Sequence, residues 1–180
     1  MPQSFDGSLI IPTRNRPMHL RAALNSVLNN ADSNIEVIVV DDGSVPPAQE
    51  ALGTNFGNDP RLVILRNSGS NGAAAARNLG AAHARGKVLF FLDDDDQMLP
   101  GYCNLVLTAM AGRDLPWGFS PILRHDSQGP AEWKKPKTIN LKELSKPLGR
   151  QHLTGLGCGF WVQTALFQSS GGLDTNFRVN

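Results

Sequence analysis

Four short apolar runs, separated by turns and helix-favouring stretches, constrain the fold of this chain more than any other feature. Leu9-Ile10-Ile11, Glu36-Val37-Ile38-Val39-Val40, residues 62–65 and Val88-Leu89-Phe90-Phe91-Leu92 are almost wholly aliphatic or aromatic. A strand that is apolar on both faces must be covered on both faces, as in parallel sheets packed between helices. The intervening segments supply those helices. Asn15 is the expected N-terminal cap of the first, Pro17 suits its first turn, and Leu20, Leu24, Val27 and Leu28 recur at helical spacing. Residues 45–58 hold one weak helix. Asn71-Gly72 turns into the helix-favouring Ala73-Ala74-Ala75-Ala76-Arg77-Asn78-Leu79, which ends near Gly86, and Pro100 opens a helix reaching about Ala111. This alternation predicts an α/β fold with a mostly parallel sheet flanked by helices.

Right-handed crossovers put the carboxyl end of every parallel strand on one edge, and ligands of open α/β sheets bind outside that edge. Pro12-Thr13-Arg14-Asn15, Asp41-Asp42-Gly43-Ser44 and Asp93-Asp94-Asp95-Asp96 all stand at such ends. Four adjacent carboxylates repel one another unless a cation offsets them. Hard oxygen ligands on a short turn suit Mg²⁺ or Mn²⁺. Taken alone, the acidic run reads equally well as a solvated loop; its convergence with the other two motifs favours a site.

After Leu115 the rhythm changes. Residues 118–124 and 133–139 read as two antiparallel strands joined by a polar loop at 125–130, and residues 141–148 as a short amphipathic helix. Residues 155–161 are glycine-rich and apolar, and Thr164 to Gln168 read as a helix ended by Gly171-Gly172. The chain of 180 residues is long enough for one domain with a real core, and its net charge of +1 gives no broad basic surface for nucleic acid. Cys103 and Cys158 form no CxxC pair, which fits a reducing compartment. No run approaches transmembrane length. His19, His83, His125 and His152 show no metal-ligand spacing, and core packing is the expected role of Trp133 and Trp161. A P-loop NTPase is excluded by the lack of GxxxxGK[ST], and a dinucleotide-binding oxidoreductase by Pro12-Thr13 where a GxGxxG turn would stand.

From Leu9 to the end, the motifs arrive in the order of a known family. Pro12-Thr13-Arg14-Asn15, Val40-Asp41-Asp42-Gly43-Ser44, Asn71-Gly72 with Ala76-Arg77-Asn78-Leu79-Gly80, Phe91 to Asp96 with Pro100, and Gly171-Gly172-Leu173-Asp174 with Phe177 resemble those of the family 2 glycosyltransferases. The resemblance implies the GT-A fold, that is, the Rossmann-like fold of nucleotide-diphospho-sugar transferases, with a small antiparallel extension on the acceptor side. It also implies metal-dependent, inverting transfer of a sugar from a nucleoside-diphosphate sugar, with a UDP-sugar favoured, to an acceptor hydroxyl on a sugar, lipid-linked or protein acceptor. Polysaccharide or glycoconjugate biosynthesis is the matching setting. On this resemblance Pro12, Thr13, Arg14, Asp41, Asp42, Gly72, Arg77, Asp93 and Asp94 bind the nucleotide-sugar. Asp95 and Asp93 hold Mn²⁺ or Mg²⁺. Asp42 accepts from the nucleobase, whereas Asp41 either meets the base edge or fixes the turn. Asp96 is expected only to cap the following helix.

Two departures stand out. Arg14 replaces the aromatic residue that packs on the nucleobase, although a guanidinium can also stack. The acidic pair that supplies the catalytic base is expected just past Asn180, which reads as a truncated chain. The alternative is a nucleotide-sugar-binding module without efficient transfer. Residues 1–112 are then the nucleotide-sugar-binding half and 113–180 the acceptor-side extension of one domain. The expected location is cytoplasmic, with the inner face of a membrane as a further option.

Overall fold

The apolar runs become strands as the sequence predicts. The computed structural model describes residues 4–29, 34–56, 58–120, 125–126, 129–130 and 159–176. In chain order its elements are β1 (Gly7–Thr13), α1 (Pro17–Leu28), β2 (Ile35–Asp41), α2 (Ala48–Leu52), β3 (Leu62–Arg66), α3 (Ala73–His83), β4 (Val88–Phe91), α4 (Tyr102–Met110), β5 (Trp117–Phe119), β6 (His125–Asp126), β7 (Gly129–Pro130), β8 (Phe160–Gln163) and α5 (Thr164–Ser169). Six strands form one sheet in the order β3-β2-β1-β4-β8-β5. The first four run parallel; β8 is antiparallel to both β4 and β5.

Side chains alternate across the sheet and build two cores. Leu9, Ile11, Val37, Val39 and Phe90 face one way and pack with Leu20, Ala23 and Leu24 of α1 and with Cys103 and Val106 of α4. Ile10, Ile38, Val40, Leu89 and Phe91 face the other way, against Ala76 and Ala81 of α3 and Phe167 of α5. A fully buried Leu or Ile contributes on the order of 2 kcal/mol. Gly80 lets α3 sit close on the sheet, since a Cβ there would lie 2.6 Å from Ile10 Cγ2.

Several boundaries differ from expectation for identifiable reasons. Pro12 lies inside β1 and does not close it. Ile10 O accepts from Leu92 N, so the imino nitrogen of Pro12, two residues on, also faces the β4 side, where β4 has already ended at Phe91. No ladder bond is lost. The N-cap of α1 is Arg16, not Asn15. Asn15 has a positive φ of 55°, tolerated by Asn, and ties two turns together: its N–H donates to Ser44 Oγ and its Oδ1 accepts from Val45 N.

Of the predicted hairpin strands at 118–124 and 133–139, residues 118–120 alone are described. β5 covers only Trp117–Phe119 and pairs with β8 inside the main sheet, where Trp161 and Val162 are buried. Gly118 makes room for the indole, because a Cβ there would be 2.3 Å from Trp161 Cζ2. The expected polar loop contains the two-stranded β6–β7 ladder. Residues 133–139, the helix at 141–148, most of the 155–161 run, Trp133, His152, Cys158 and Phe177 lie outside the described residues. His19 and His83 are exposed, as expected of surface histidines.

Candidate active site

Register brings the three polar motifs to one edge. Thr13 stands opposite Asp41 at the end of β1 and β2, and Ile10 stands opposite Phe91 of β4. Three residues beyond Phe91, Asp94 reaches the level of Thr13, whose hydroxyl donates to Asp94 Oδ2 at 2.7 Å. Both residues are buried.

The two aspartates that end β2 and begin its turn do different work. Asp41 is buried; its Oδ1 accepts from Ser44 N at 2.7 Å, and its Oδ2 from Ala48 N at 2.9 Å and Arg66 Nη1 at 2.6 Å. Burial pushes this carboxyl up. Hydrogen bonds from Ala48 and Ser44, with the charge of Arg66, outweigh that and hold it below the ordinary carboxylate range. Asp42 points to the start of α3. Its Oδ1 accepts from Asn67 Nδ2 and Asn71 N, and its Oδ2 accepts from Gly72 N at 2.8 Å. Asp42 therefore fixes the turn that aims the N-terminus of α3 at the sheet edge. The first N–H groups of a helix have no partner within it and favour an anion.

Residues Asp93 to Asp96 form a tight turn closed by Asp96 N donating to Asp93 O at 3.1 Å. The turn splits its four carboxylates. Asp94 points inward to Thr13 and also receives Arg16 Nη1 at 3.3 Å. Asp93, Asp95 and Asp96 each offer an oxygen, and these oxygens lie within 4.8 Å of one another. Arg77 of α3 pairs with Asp93, and Arg16 Nη1 lies 3.0 Å from Asp95 Oδ2. Asp94, and then Asp95, raise the pKa of the Arg16 guanidinium above its ordinary value. Arg77 Nε–H is buried without an acceptor, so this guanidinium is incompletely satisfied among the described residues.

Of these groups, Thr13, Arg16, Asp42, Arg77 and Asp93 to Asp95 line a cleft of about 600 Å³ bounded by the ends of β1, β2 and β4 and the start of α3. Five carboxylates, of Asp42 and Asp93 to Asp96, face three guanidinium groups, of Arg14, Arg16 and Arg77, along this edge. Hard oxygen donors gathered on one turn, with an anion-favouring helix start across the cleft, fit a divalent cation of the Mg²⁺ or Mn²⁺ kind together with a phosphate group. Behind the cleft, Asn78 clasps the turn after α5: its Nδ2 donates to Leu173 O and its Oδ1 accepts from Leu173 N, both at 2.8 Å. A Cβ on Gly172 would lie 2.6 Å from Asn78 Oδ1. The Arg-Asn pair in α3 thus serves the cleft with one residue and the far turn with the next.

The sequence model of Glycosyl transferase family 2 matches residues 8–169. The chain belongs to that family. A glycosyltransferase of Haemophilus influenzae, itself described as uncharacterised, is 39% identical over 100 residues, which is 56% of this chain and 33% of that protein. The chain therefore spans about a third of this relative's length. Among solved structures, Staphylococcus aureus TarS 1–349 in complex with UDP-GlcNAc superposes with a TM-score of 0.71 at 19% identity, over 93% of this chain and 48% of that one. The mannosyltransferase PcManGT of Pyrobaculum calidifontis, in complex with GDP-Man and Mn²⁺, gives 0.71 at 17% identity, over 97% and 49%. At such identities the likeness shows the fold, and that fold is GT-A.

Within this family 2 chain, most of the expected binding residues converge. Pro12, Thr13, Arg14, Asp42, Gly72, Arg77, Asp93, Asp94 and Asp95 all line the cleft. Asp41 does not; its carboxylate is committed to the 44–48 turn. Arg14, which is exposed, pairs with Ser70 Oγ across the cleft mouth. Asp96 is not the cap of α4, whose N-cap is Gly101, five residues later, and its carboxylate joins the oxygen cluster instead. Arg16 went unnoticed in the sequence. An arginine at a helix start usually faces solvent, and only the placement of Asp94 beside Thr13 draws it inward. No helix among the described residues is long and apolar enough to cross a membrane.

Proposed function

We propose that the cleft is the donor site of a metal-dependent, inverting glycosyltransferase acting on a nucleoside-diphosphate sugar, with a UDP-sugar favoured. One observation carries this reading: Asp93, Asp95 and Asp96 gather their oxygens on one turn, and Asp93 and Asp95 line the cleft that the start of α3 also lines. The neighbours bound to UDP-GlcNAc and to GDP-Man support the donor class. Asp93 and Asp95, with Asp96 beside them, are the proposed holders of Mn²⁺ or Mg²⁺. When bound, the cation supplies charge neutralisation on the leaving diphosphate.

The chain's own residues do the rest. Thr13 and Arg14 border the nucleoside end, with the Arg14 guanidinium in place of a stacking ring. Asp42 receives the base edge by exchanging one of its present donors; an ionised carboxylate only accepts. Gly72 and the free N–H groups that follow it lie against phosphate oxygens, and Arg77 approaches the same charge. Transfer is a single displacement. The acceptor oxygen bonds to the anomeric carbon, the bond to the diphosphate oxygen breaks, and the nucleoside diphosphate leaves with that electron pair. The acceptor proton passes to a base. None of the described carboxylates is assigned that role. Residues 1–112 form the donor half and 113–180 the acceptor side, in keeping with polysaccharide or glycoconjugate synthesis.

Calorimetric titration with a panel of nucleoside diphosphates tests the reading, first with Mn²⁺ and then with EDTA. Binding of UDP or GDP that disappears on chelation is expected. Equal binding in EDTA would remove the metal from the proposal, and no binding of any diphosphate would remove the donor site.

A further inference from the structure

Asp95 is claimed twice. It is a member of the oxygen cluster with Asp93 and Asp96, and it is also the partner of Arg16, whose Nη1 lies 3.0 Å from its Oδ2. The two uses conflict, because a divalent cation and a guanidinium beside the same carboxylate repel each other at a few ångströms. The surroundings show which partner can leave. The Arg16 backbone is fixed at the start of α1, where its carbonyl accepts from Leu20 N at 3.0 Å. Its side chain is 53% exposed, so it can swing without disturbing the core. Asp94, its second partner, is buried and held from the other side by Thr13, so it stays in place. Arg77 differs: its side chain is only 13% exposed, packed at the cleft wall against Asp93.

We propose that Arg16 is the resident counter-ion of the acidic turn, occupying Asp94 and Asp95 in the metal-free protein and releasing Asp95 when a divalent cation binds. The proposal rests on the reading of Asp93 and Asp95 as cation ligands. In the metal-free state the guanidinium keeps the turn from splaying under like-charge repulsion. On release it stays tethered near Asp94, at the border of the cleft, where it adds positive charge facing the diphosphate. Arg16 is thus a positioning residue that acts through Asp95. Its side chain makes the metal-free turn stable and the metal-bound turn harder to reach.

Mn²⁺ titrations without nucleotide, followed by electron paramagnetic resonance of the free ion, test this on the wild type, Arg16→Gln and Arg14→Gln. Removing the competing guanidinium should tighten Mn²⁺ binding by about fivefold in Arg16→Gln. Arg14→Gln also removes a positive charge at the cleft but not from the acidic turn, and should shift affinity by less than about twofold. If the wild type binds Mn²⁺ and Arg16→Gln binds it equally or more weakly, the counter-ion role is wrong while the metal reading stands. Equal tightening in both variants would reduce Arg16 to general charge and overturn the proposal. If neither the wild type nor Arg16→Gln binds Mn²⁺, with UDP added as well as without it, both readings fall together.

Discussion

Opposite edges of the same sheet carry carboxylates paired with arginines, and they are built for opposite purposes. At the amino edge, Glu36 is fully buried in a strand. Its carboxylate accepts from Ser8 Oγ at 2.6 Å, Arg85 N at 2.5 Å, Arg85 Nε at 2.8 Å and Gly86 N at 3.3 Å. Arg85 lies over the Phe5 ring at 4.8 Å, and Gly86 presses so close to Gly7 that a Cβ would sit 2.3 Å from its carbonyl carbon. The Arg85 guanidinium is itself half-exposed, but the Glu36 carboxylate is also held by Ser8 and by the backbone N–H groups of Arg85 and Gly86, and it cannot be reached without opening the core. At the carboxyl edge, Asp95 is exposed, Arg16 is half-exposed, and their partners sit at the border of a 600 Å³ cleft. A buried carboxylate saturated by backbone donors specifies structure, whereas an exposed one with a replaceable side-chain partner is free to receive a ligand.

The contrast can be broken most forcefully at the closed edge. Glu36→Ala should destabilise the fold by about 3 kcal/mol, because it strands Ser8, Arg85 and Gly86 donors. Thermal unfolding would show it, and diphosphate affinity of the folded fraction should not change. A loss below about 1 kcal/mol would mean that the network is dispensable.

Gly80→Val should rank next, at about 2 kcal/mol, since it drives a side chain into Ile10 under α3. Unlike Glu36→Ala, it should also weaken nucleotide binding, because α3 carries Arg77 and its start lines the cleft.

Asp41 joins the two behaviours, being a structural group on the functional edge. Its folded pKa lies below the ordinary value of 3.8, so its contribution is complete above about that pH and is lost as pH falls through the lower folded pKa. Asp41→Asn should cost about 1–2 kcal/mol at neutral pH and flatten the acid limb of the stability profile below pH 3.8. Asp59, held low chiefly by its hydrogen bonds from Arg61, should keep part of that slope. An unchanged acid limb would show that Asp41 is not held as described.

The smallest stability effect should belong to the residue with the greatest functional one. Asp95→Asn should shift unfolding by no more than about 0.5 kcal/mol and still lower Mn²⁺-dependent diphosphate affinity at least about tenfold. Denaturant unfolding and calorimetry on the same sample would separate the two.

The difference between the edges also explains what could be read without a structure. The four parallel strands were legible because runs such as Val37 to Val40 and Val88 to Phe91 are buried on both faces and leave no period to misread. The three carboxyl-edge motifs were legible because polar turns must follow such strands. The Glu36 network was not, since its partners Ser8, Arg85 and Gly86 are 28 to 50 residues away in sequence and meet only through register. The same holds for Arg16 and Asp94, 78 residues apart. The pairing of β8 with Trp117–Phe119 was not legible, because it depends on a glycine yielding to an indole, a contact that no local pattern announces. Asp41 and Asp42 looked interchangeable in a row. The turn geometry sends one into the 44–48 loop and the other to the start of α3.

The most direct measurement of the contrast is paramagnetic broadening of backbone amide signals as Mn²⁺ and UDP are added to ¹⁵N-labelled protein. The edges are separated by the seven residues of β1, about 20 Å of strand. Signals of Thr13, Gly72, Ala73 and Asp93 to Asp96 should vanish first, while those of Ser8, Arg85 and Gly86 persist. Equal broadening at both edges, or early loss at the amino edge, would contradict a cation site on the Asp93 to Asp96 turn.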